Sequence, residues 1–382
     1  MNTLLSEEQA ALEDQCLKLL RNEWPLEKAI KVLGPRGPRH SPELWKTLVD
    51  AGWLGFPFSS ELGGADGELT DLGVIYRAAG ECVVPSTYYS CMFGGLLVDA
   101  LATAAQKQEL LAPMIAGEHL ITSAYAEPHA AELPGLFTAA ATRVGESWVL
   151  NGTKSFVADL GSADIVLVLA RIHQISDSAG WGLFAIRKDE LRERVRQTDA
   201  FGATPLWEIQ LEKLKLPLDA LVGGLEAASN TREVFEDVVQ KATALQCMEM
   251  AGGIAGILRF TVDYVKERQQ FGKPIGTKQA VQHLLANISM SLDGVRVAAL
   301  KALFLAAQRR KEAGRAVSLA KVALGEAYVN ATITCGQLWG AMGYSRETGL
   351  YLWVERAKVT DVWLGTRSSH LKKLANYMEL AR

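Results

Sequence analysis

Residues 265–290, VKERQQFGKPIGTKQAVQHLLANISM, decide how this chain is read. The stretch leaves a long apolar helical pattern, breaks at Phe271-Gly272-Lys273-Pro274-Ile275-Gly276 and re-enters a helical pattern at Thr277. Proline has no amide to donate and clashes inside a helix, while the two glycines relax the backbone. The spacing therefore predicts a corner between two helices, with Arg268 and Lys273 beside it. A bend carrying a guanidinium and open backbone amides is suited to hold an anionic cofactor. A purely structural corner needs the same residues, and on spacing alone that plainer reading is the stronger.

Working outward, residues 238–268 are periodic and unusually apolar, with Ala251-Gly252-Gly253 and Gly256 small enough for a neighbouring helix to approach closely. Residues 279–309 and 316–335 continue in the same period, and helices of this kind joined by short corners, with a terminal helix from 368, make a bundle. The other end of the chain also reads as helical. Ser6 with Gln9 is a capping box ahead of an apolar-periodic run through Leu20, and Gly34-Pro35-Arg36-Gly37-Pro38 is a linker. Ser41-Pro42-Glu43 starts a helix with a cap residue followed by proline, and that helix ends at Ala51-Gly52-Trp53. The glycine-rich residues 61–67 must be a loop, and helical patterns resume over 70–80, 93–104 and 106–115.

Between these ends the period changes to two. Residues 147–157, SWVLNGTKSFV, read as a strand, an Asn151-Gly152 turn and a second strand. Runs at 164–170, 181–186 and 206–214 add further strands. The reading is α+β, with an N-terminal helical domain (1–118), a middle β domain (119–222) and a C-terminal four-helix bundle (223–382).

Composition excludes several classes. A net charge of −3 gives no footprint for nucleic acid. Five scattered cysteines, an odd number in apolar surroundings, read as reduced thiols of a cytoplasmic protein. No signal-like segment opens the chain and no run of apolar residues is long enough for a membrane span. The six histidines are dispersed, so no metal is expected. No strand is followed by Gly-x-Gly-x-x-Gly, which disfavours a nicotinamide dehydrogenase. Asp159, Asp164 and Glu347 read as solvated structural acids, and Lys358 and Arg356 as lying on a solvated or interface face.

The corner Arg268-x-Gln270-Phe271-Gly272-x-Pro274-Ile275-Gly276, followed by Gln279-Ala280-Val281-Gln282-His283, resembles the C-terminal signature of acyl-CoA dehydrogenases. Gln337-Leu338-Trp339-Gly340-Ala341-Met342-Gly343-Tyr344 resembles a second block of that family, at the family's spacing, and the layout agrees over nearly all 382 residues. The resemblance implies FAD, an acyl-CoA thioester substrate, and an oligomer that shares FAD across a subunit interface. It also implies a carboxylate base that takes the C2 proton while the β-hydride leaves for the flavin.

Set against that resemblance, the base is missing. In most of the family it is the glutamate of a Tyr-Glu-Gly-Thr segment, which here reads Trp363-Leu364-Gly365-Thr366. Some members carry it on the long helix before the corner, at the position of Ala242, where an arginine that often follows would be Thr243. Glu249, seven residues on along the same helix face, is the rescue candidate, and a buried glutamate satisfied by its neighbours is the stronger reading of it. The flavin-facing loop is eroded too: Ala126-Glu127-Pro128-His129-Ala130-Ala131-Glu132-Leu133-Pro134 keeps the Glu-Pro pair but not the family's glycines, serine and aspartate. Phe156 matches the aromatic beside the isoalloxazine ring, Ala158 replaces its hydroxyl partner, and Thr366 is kept. Arg268, Phe271, Gln337, Gly340 and Gly343 match positions that contact the FAD of a neighbouring subunit.

That asymmetry suggests a companion subunit in an α2β2 acyl-CoA dehydrogenase, completing the FAD site of a related, base-carrying chain. The branch it resembles acts on steroid side-chain thioesters. A self-sufficient homo-oligomer using Glu249, a flavin-dependent oxidase and a helical scaffold without cofactor are the alternatives.

Overall fold

Ser6 opens the first helix as its neighbours dictate: its hydroxyl accepts from the Gln9 amide, and the Gln9 side chain accepts from Ser6 N. The computed structural model describes residues 5–128, 138–172 and 180–379. Its helices are α1 Glu7–Glu23, α2 Leu26–Leu33, α3 Pro42–Asp50, α4 Leu69–Glu81, α5 Ser86–Leu101, α6 Ala104–Gln106, α7 Ala112–Ile115, α8 Gly224–Ala227, α9 Thr231–Glu267, α10 Gln279–Ala307, α11 Ala313–Trp339, α12 Tyr351–Val362 and α13 Arg367–Tyr377. The strands are β1 Ile121–Ala124, β2 Ala140–Val144, β3 Ser147–Asn151, β4 Thr153–Ala158, β5 Ile165–Ile172, β6 Gly180–Arg187, β7 Val195–Thr198, β8 Leu206–Gln210, β9 Leu214–Pro217, β10 Gln269–Gln270 and β11 Lys273–Pro274. The fold is α+β, with N-terminal helices, a central mixed sheet and a C-terminal helix bundle.

The chain gathers into two compact units, one of Met1–Pro38, Glu68–Val84 and Gln240–Arg382, the other of Arg39–Gly67 and Pro85–Val239. In the first, α11 packs on α10, α12 and α13, and α4 packs on α1 and α10. Glycines decide how closely α4 and α9 approach. A Cβ at Gly80 would lie 2.0 Å from Glu249 O, one at Gly252 1.9 Å from Arg77 O, and one at Gly256 2.3 Å from Glu81 O. Four rings, Trp353, Phe260, Trp339 and Tyr264, stack in a row with centroids 5.3, 4.8 and 3.9 Å apart. This row ties the end of α11 to the end of α9.

In the second unit β5 is the centre of a six-stranded sheet, parallel to β1 and β2 and antiparallel to β6, with β3 joining β2 to β9. Nearly all of β5 is buried, as its continuous apolar run requires, while β3 and β9 alternate. β4, β8 and β7 form a second sheet, and Trp148, Leu150, Val168, Phe184, Val157 and Ile209 share one core.

Three local expectations change. The Asn151-Gly152 turn closes no hairpin, because β3 pairs with β2 and β9 while β4 pairs with β8. Gly152 takes φ 127°, far from the φ near 60° that a two-residue hairpin turn of this kind needs, and Asn151 Oδ1 instead accepts from Lys213 N at 2.9 Å. The hairpin turn is Gly145-Glu146, which joins β2 to β3. Residues 206–214 carry β8 and the first residue of β9, separated where Lys213 turns back with φ 50°. Finally, α5 begins at Ser86 rather than at 93.

Candidate functional site

The corner is a small hairpin. β10 and β11 pair Gln269 with Pro274 and Gln270 with Lys273, around Phe271 (φ 57°) and Gly272 (φ 79°). Both central residues have positive φ, a turn that favours Asn-Gly, so a phenylalanine here is strained. Its ring is 89% exposed, with the Lys278 ammonium 4.2 Å from its centroid. Arg268 is exposed beside it. At the neighbouring end of α11 Gln337 is exposed, and Gly340 takes φ 61° with open space where a side chain would point. Gly343 is a glycine for a packing reason, since its Cβ would lie 2.5 Å from Gly336 O. Tyr344 beyond it is 83% exposed. The stacked Trp339 and Tyr264 bring these two segments to one end of the helical unit.

The turn between α12 and α13 holds the residues that replace the expected base. Leu364 is 4% exposed and takes φ 60°, a conformation a leucine adopts only when its surroundings impose it. Those surroundings are buried donors. The Lys321 ammonium donates to Thr360 O, to Gln246 Oε1 and to Trp363 O, the last at 2.8 Å. The His370 ring bridges Leu364 O and Ser318 Oγ, each at 3.2 Å. Burial pushes Lys321 down to about 8 and His370 down to about 4. Thr366 caps α13, its side chain accepting from Ser369 N at 3.2 Å.

Glu249 lies in the middle of α9, 1% exposed, with Arg356 Nη1 3.6 Å from its Oε1. Burial pushes its carboxyl up to about 7, against the pull of Arg356 and Lys321. Arg356 is itself buried and donates to Val84 O at 2.5 Å, so it does not lie on a solvated or interface face. Ala242 and Thr243 are buried earlier on the same helix. Glu249 thus sits beside a buried cation rather than on an open wall. Among the described residues neither of its carboxyl oxygens accepts a hydrogen bond, so the expected satisfaction by neighbouring donors is not met.

In the second unit Phe156 is half exposed with φ 57°, where the β4–β8 register shifts. Ala158 is buried, its carbonyl accepting from Thr122 Oγ1 at 2.6 Å. Glu127 is fully engaged in structure. It accepts from Lys154 Nζ at 2.8 Å, from Thr138 N and Oγ1 at 2.6 and 2.7 Å, and from Ala139 N at 3.0 Å. Burial acts to raise its carboxyl, but these bonds outweigh it and the net direction is down. Residues 129–134 of the loop lie outside the described residues. Asp159 is buried, not solvated, and accepts from Ser86 and Ser90 at 2.7 and 2.5 Å. Among the described residues no group of three or more His, Cys, Asp or Glu could hold a metal ion.

Residues 6–118 match the family model for the N-terminal domain of acyl-CoA dehydrogenases, and residues 233–378 match that for their C-terminal domain. The chain belongs to the acyl-CoA dehydrogenase superfamily. It is similar to the short-chain-specific acyl-CoA dehydrogenase of Clostridium acetobutylicum, 26% identical over 344 residues, 86% of this chain and 87% of that one. A solved structure of PigA with FAD and proline superposes with a TM-score of 0.86 at 21% identity over all of both chains. The ChsE4-ChsE5 complex from Mycobacterium tuberculosis gives 0.85 at 21% identity, again over both full chains.

Within this acyl-CoA dehydrogenase superfamily chain, backbone strain marks the singled-out positions. Among the described residues four bulky apolar side chains stand at positive φ, namely Val83, Phe156, Phe271 and Leu364, and three of them are at positions the family pattern names. Sequence reasoning missed Lys321 and His370. Lys321 falls on the buried stripe Val317, Leu324, Tyr328 of α11, and a lone cation on such a stripe was the available signal.

Proposed function

We propose that this chain is a subunit of an FAD-dependent acyl-CoA dehydrogenase that performs α,β-dehydrogenation of an acyl-CoA thioester, and that it completes the FAD site of a base-carrying partner. The observation that carries this reading is the turn at 363–366. Its backbone is held by Lys321 and His370 in a strained conformation, yet the side chain it presents is Leu364, which takes no proton. The alternative base position is Ala242, also without a proton acceptor. Glu249 is enclosed in the middle of α9 with no hydrogen-bond donor to either carboxyl oxygen among the described residues, and burial favours its neutral form, which takes no proton.

The groups at the corner fit one end of the cofactor. An exposed guanidinium (Arg268), an exposed amide (Gln337), a side-chain-free backbone at Gly340 and an exposed ring (Phe271) suit a diphosphate with its attached adenosine. By the family resemblance, the FAD they would touch is one held by a neighbouring subunit, and their exposure on the helical unit agrees with that. When bound, FAD supplies the hydride acceptor. This chain's residues bind and orient its diphosphate end, and the partner supplies the base. The proposed assembly is an α2β2 heterotetramer, and a bulky acyl-CoA such as a steroid side-chain thioester is the proposed substrate class, by branch resemblance.

Flavin content tests the reading. The chain purified alone should be colourless near 450 nm, and co-expression with a base-carrying relative from the same genome should give about one FAD per pair of unlike chains. A lone chain that is yellow, with about one FAD per subunit bleached by acyl-CoA, would establish the self-sufficient enzyme instead.

A further inference from the structure

A basic hollow lies on the helical unit, apart from the proposed cofactor contacts. It has a volume of 530 Å³ and is lined by Lys31, Arg36 and Arg346 around the Gly34–Gly37 turn, with no carboxylate in its wall. Among the described residues none of the three cations has an ion-pair or hydrogen-bond partner; Arg346 rests over the Tyr351 ring, 5.9 Å from its centroid. Lys31 stands in the last turn of α2, where a helix C-terminus favours a cation. Arg36 and Arg346 have no such account.

The walls are rigid. The Gly37 amide donates to Gly34 O at 2.8 Å, and a Cβ at Gly37 would lie 2.0 Å from Val32 O, so the turn lies flat against the end of α2. Opposite, the residues after Arg346 press on the same helix, with a Cβ at Gly349 only 2.8 Å from Ile30. Three like charges held around one hollow repel one another and raise the local potential for an anion. Arg346 in its wall follows the second signature block in the chain. Ser345 N donates to Met342 O at 3.1 Å and Thr348 Oγ1 to Ser345 O at 3.0 Å, which folds the Arg346 turn back beside the exposed Met342 and Tyr344. Exposed tyrosine and arginine side by side are the composition of a protein contact.

We propose that an acidic segment of the base-carrying partner subunit seats in this hollow, so that its cations steer assembly of the unlike pair. The inference rests on the companion reading above. It assigns partner recognition to Lys31, Arg36 and Arg346, which are not among the proposed cofactor contacts.

The test is the association rate of this chain with a base-carrying relative from the same genome, by biolayer interferometry at low and high salt. The variants are the triple reversal Lys31→Glu, Arg36→Glu, Arg346→Glu and the triple neutralisation to glutamine, which decides the matter if the reversal unfolds. Wild type should associate more slowly as salt rises; the reversal should be at least ~10-fold slower at low salt and lose its salt dependence, with neutralisation between. Equal rates and salt slopes for wild type and variants would overturn the hollow's role while leaving the companion reading intact. Failure of the wild-type chains to associate at all would overturn both. Stoichiometric binding of pyrophosphate to wild type, lost in the reversal, with partner association unchanged, would make the hollow a small-anion site and refute the proposal. So would salt-sensitive self-association of the lone chain.

Discussion

Gly252→Ala and Gly294→Ala form a pair for which helix propensity and packing predict different outcomes. Both glycines lie inside long helices, α9 and α10, where alanine is favoured by about 1 kcal/mol. At Gly294 a new Cβ meets nothing within 4 Å, so propensity alone acts and the variant should be stabilised by roughly 0.5–1 kcal/mol. At Gly252 the new Cβ would lie 1.9 Å from Arg77 O, 2.8 Å from its carbonyl carbon and 2.9 Å from Glu81 N. All three are backbone atoms, so no side chain can swing aside. Helices α4 and α9 must part by on the order of 1 Å, and a gap of that size forfeits a quarter to a half of each contact along the seam. Gly80 and Gly256 lie on the same seam and would lose contact with it. Overpacking of this kind costs about 3 kcal/mol or more, which exceeds the propensity gain and leaves a net loss of about 2–4 kcal/mol. Thermal unfolding gives the signs, and amide exchange in α4, faster by about 30-fold or more in Gly252→Ala, locates the loss. A melting temperature raised by both substitutions would refute the backbone-contact seam.

Two other changes test the buried charges. Glu127→Gln removes the anion beside fully buried Lys154 and leaves one oxygen where four donors converge, so it should destabilise the β unit by about 3–5 kcal/mol. Urea unfolding followed by tryptophan emission and far-ultraviolet circular dichroism should show this as a lower midpoint, and an unmoved midpoint would contradict it. For Glu249, the folded carboxyl at about 7 lies above its ordinary 4.5, so the neutral form contributes stability that is full below pH 4.5 and lost as pH rises through about 7. The melting temperature of wild type relative to Glu249→Gln should therefore fall between pH 5 and pH 8. A constant difference would mean that Glu249 titrates as an exposed glutamate does.

The helical ends and the strand-rich middle were legible because each depends on local period: the Ser6–Gln9 box, the Ser41-Pro42 start and the apolar run of β5 all formed where read. The Asn151-Gly152 hairpin was misread for a reason of the same kind. A turn signal reports that the chain bends, not which strands it joins, and the partners of β3 and β4 come from 140–144, 206–210 and 214–217. Asp159 and Arg356 were misread as solvated because their partners, Ser86, Ser90 and Val84, are far off in the chain.

By itself the sequence determined the α+β layout, the helix break at the corner and the absence of a carboxylate at positions 364 and 242, since each needs only residue identity and neighbours. Only the tertiary structure decided the surroundings of those residues. It placed Glu249 beside Arg356, and Lys321 against the carbonyls of Thr360 and Trp363 at the end of α12. It also left Phe271 and Tyr344 bare at the surface. Burial and charge pairing depend on segments brought together from across the chain, and no local pattern encodes which segments those are.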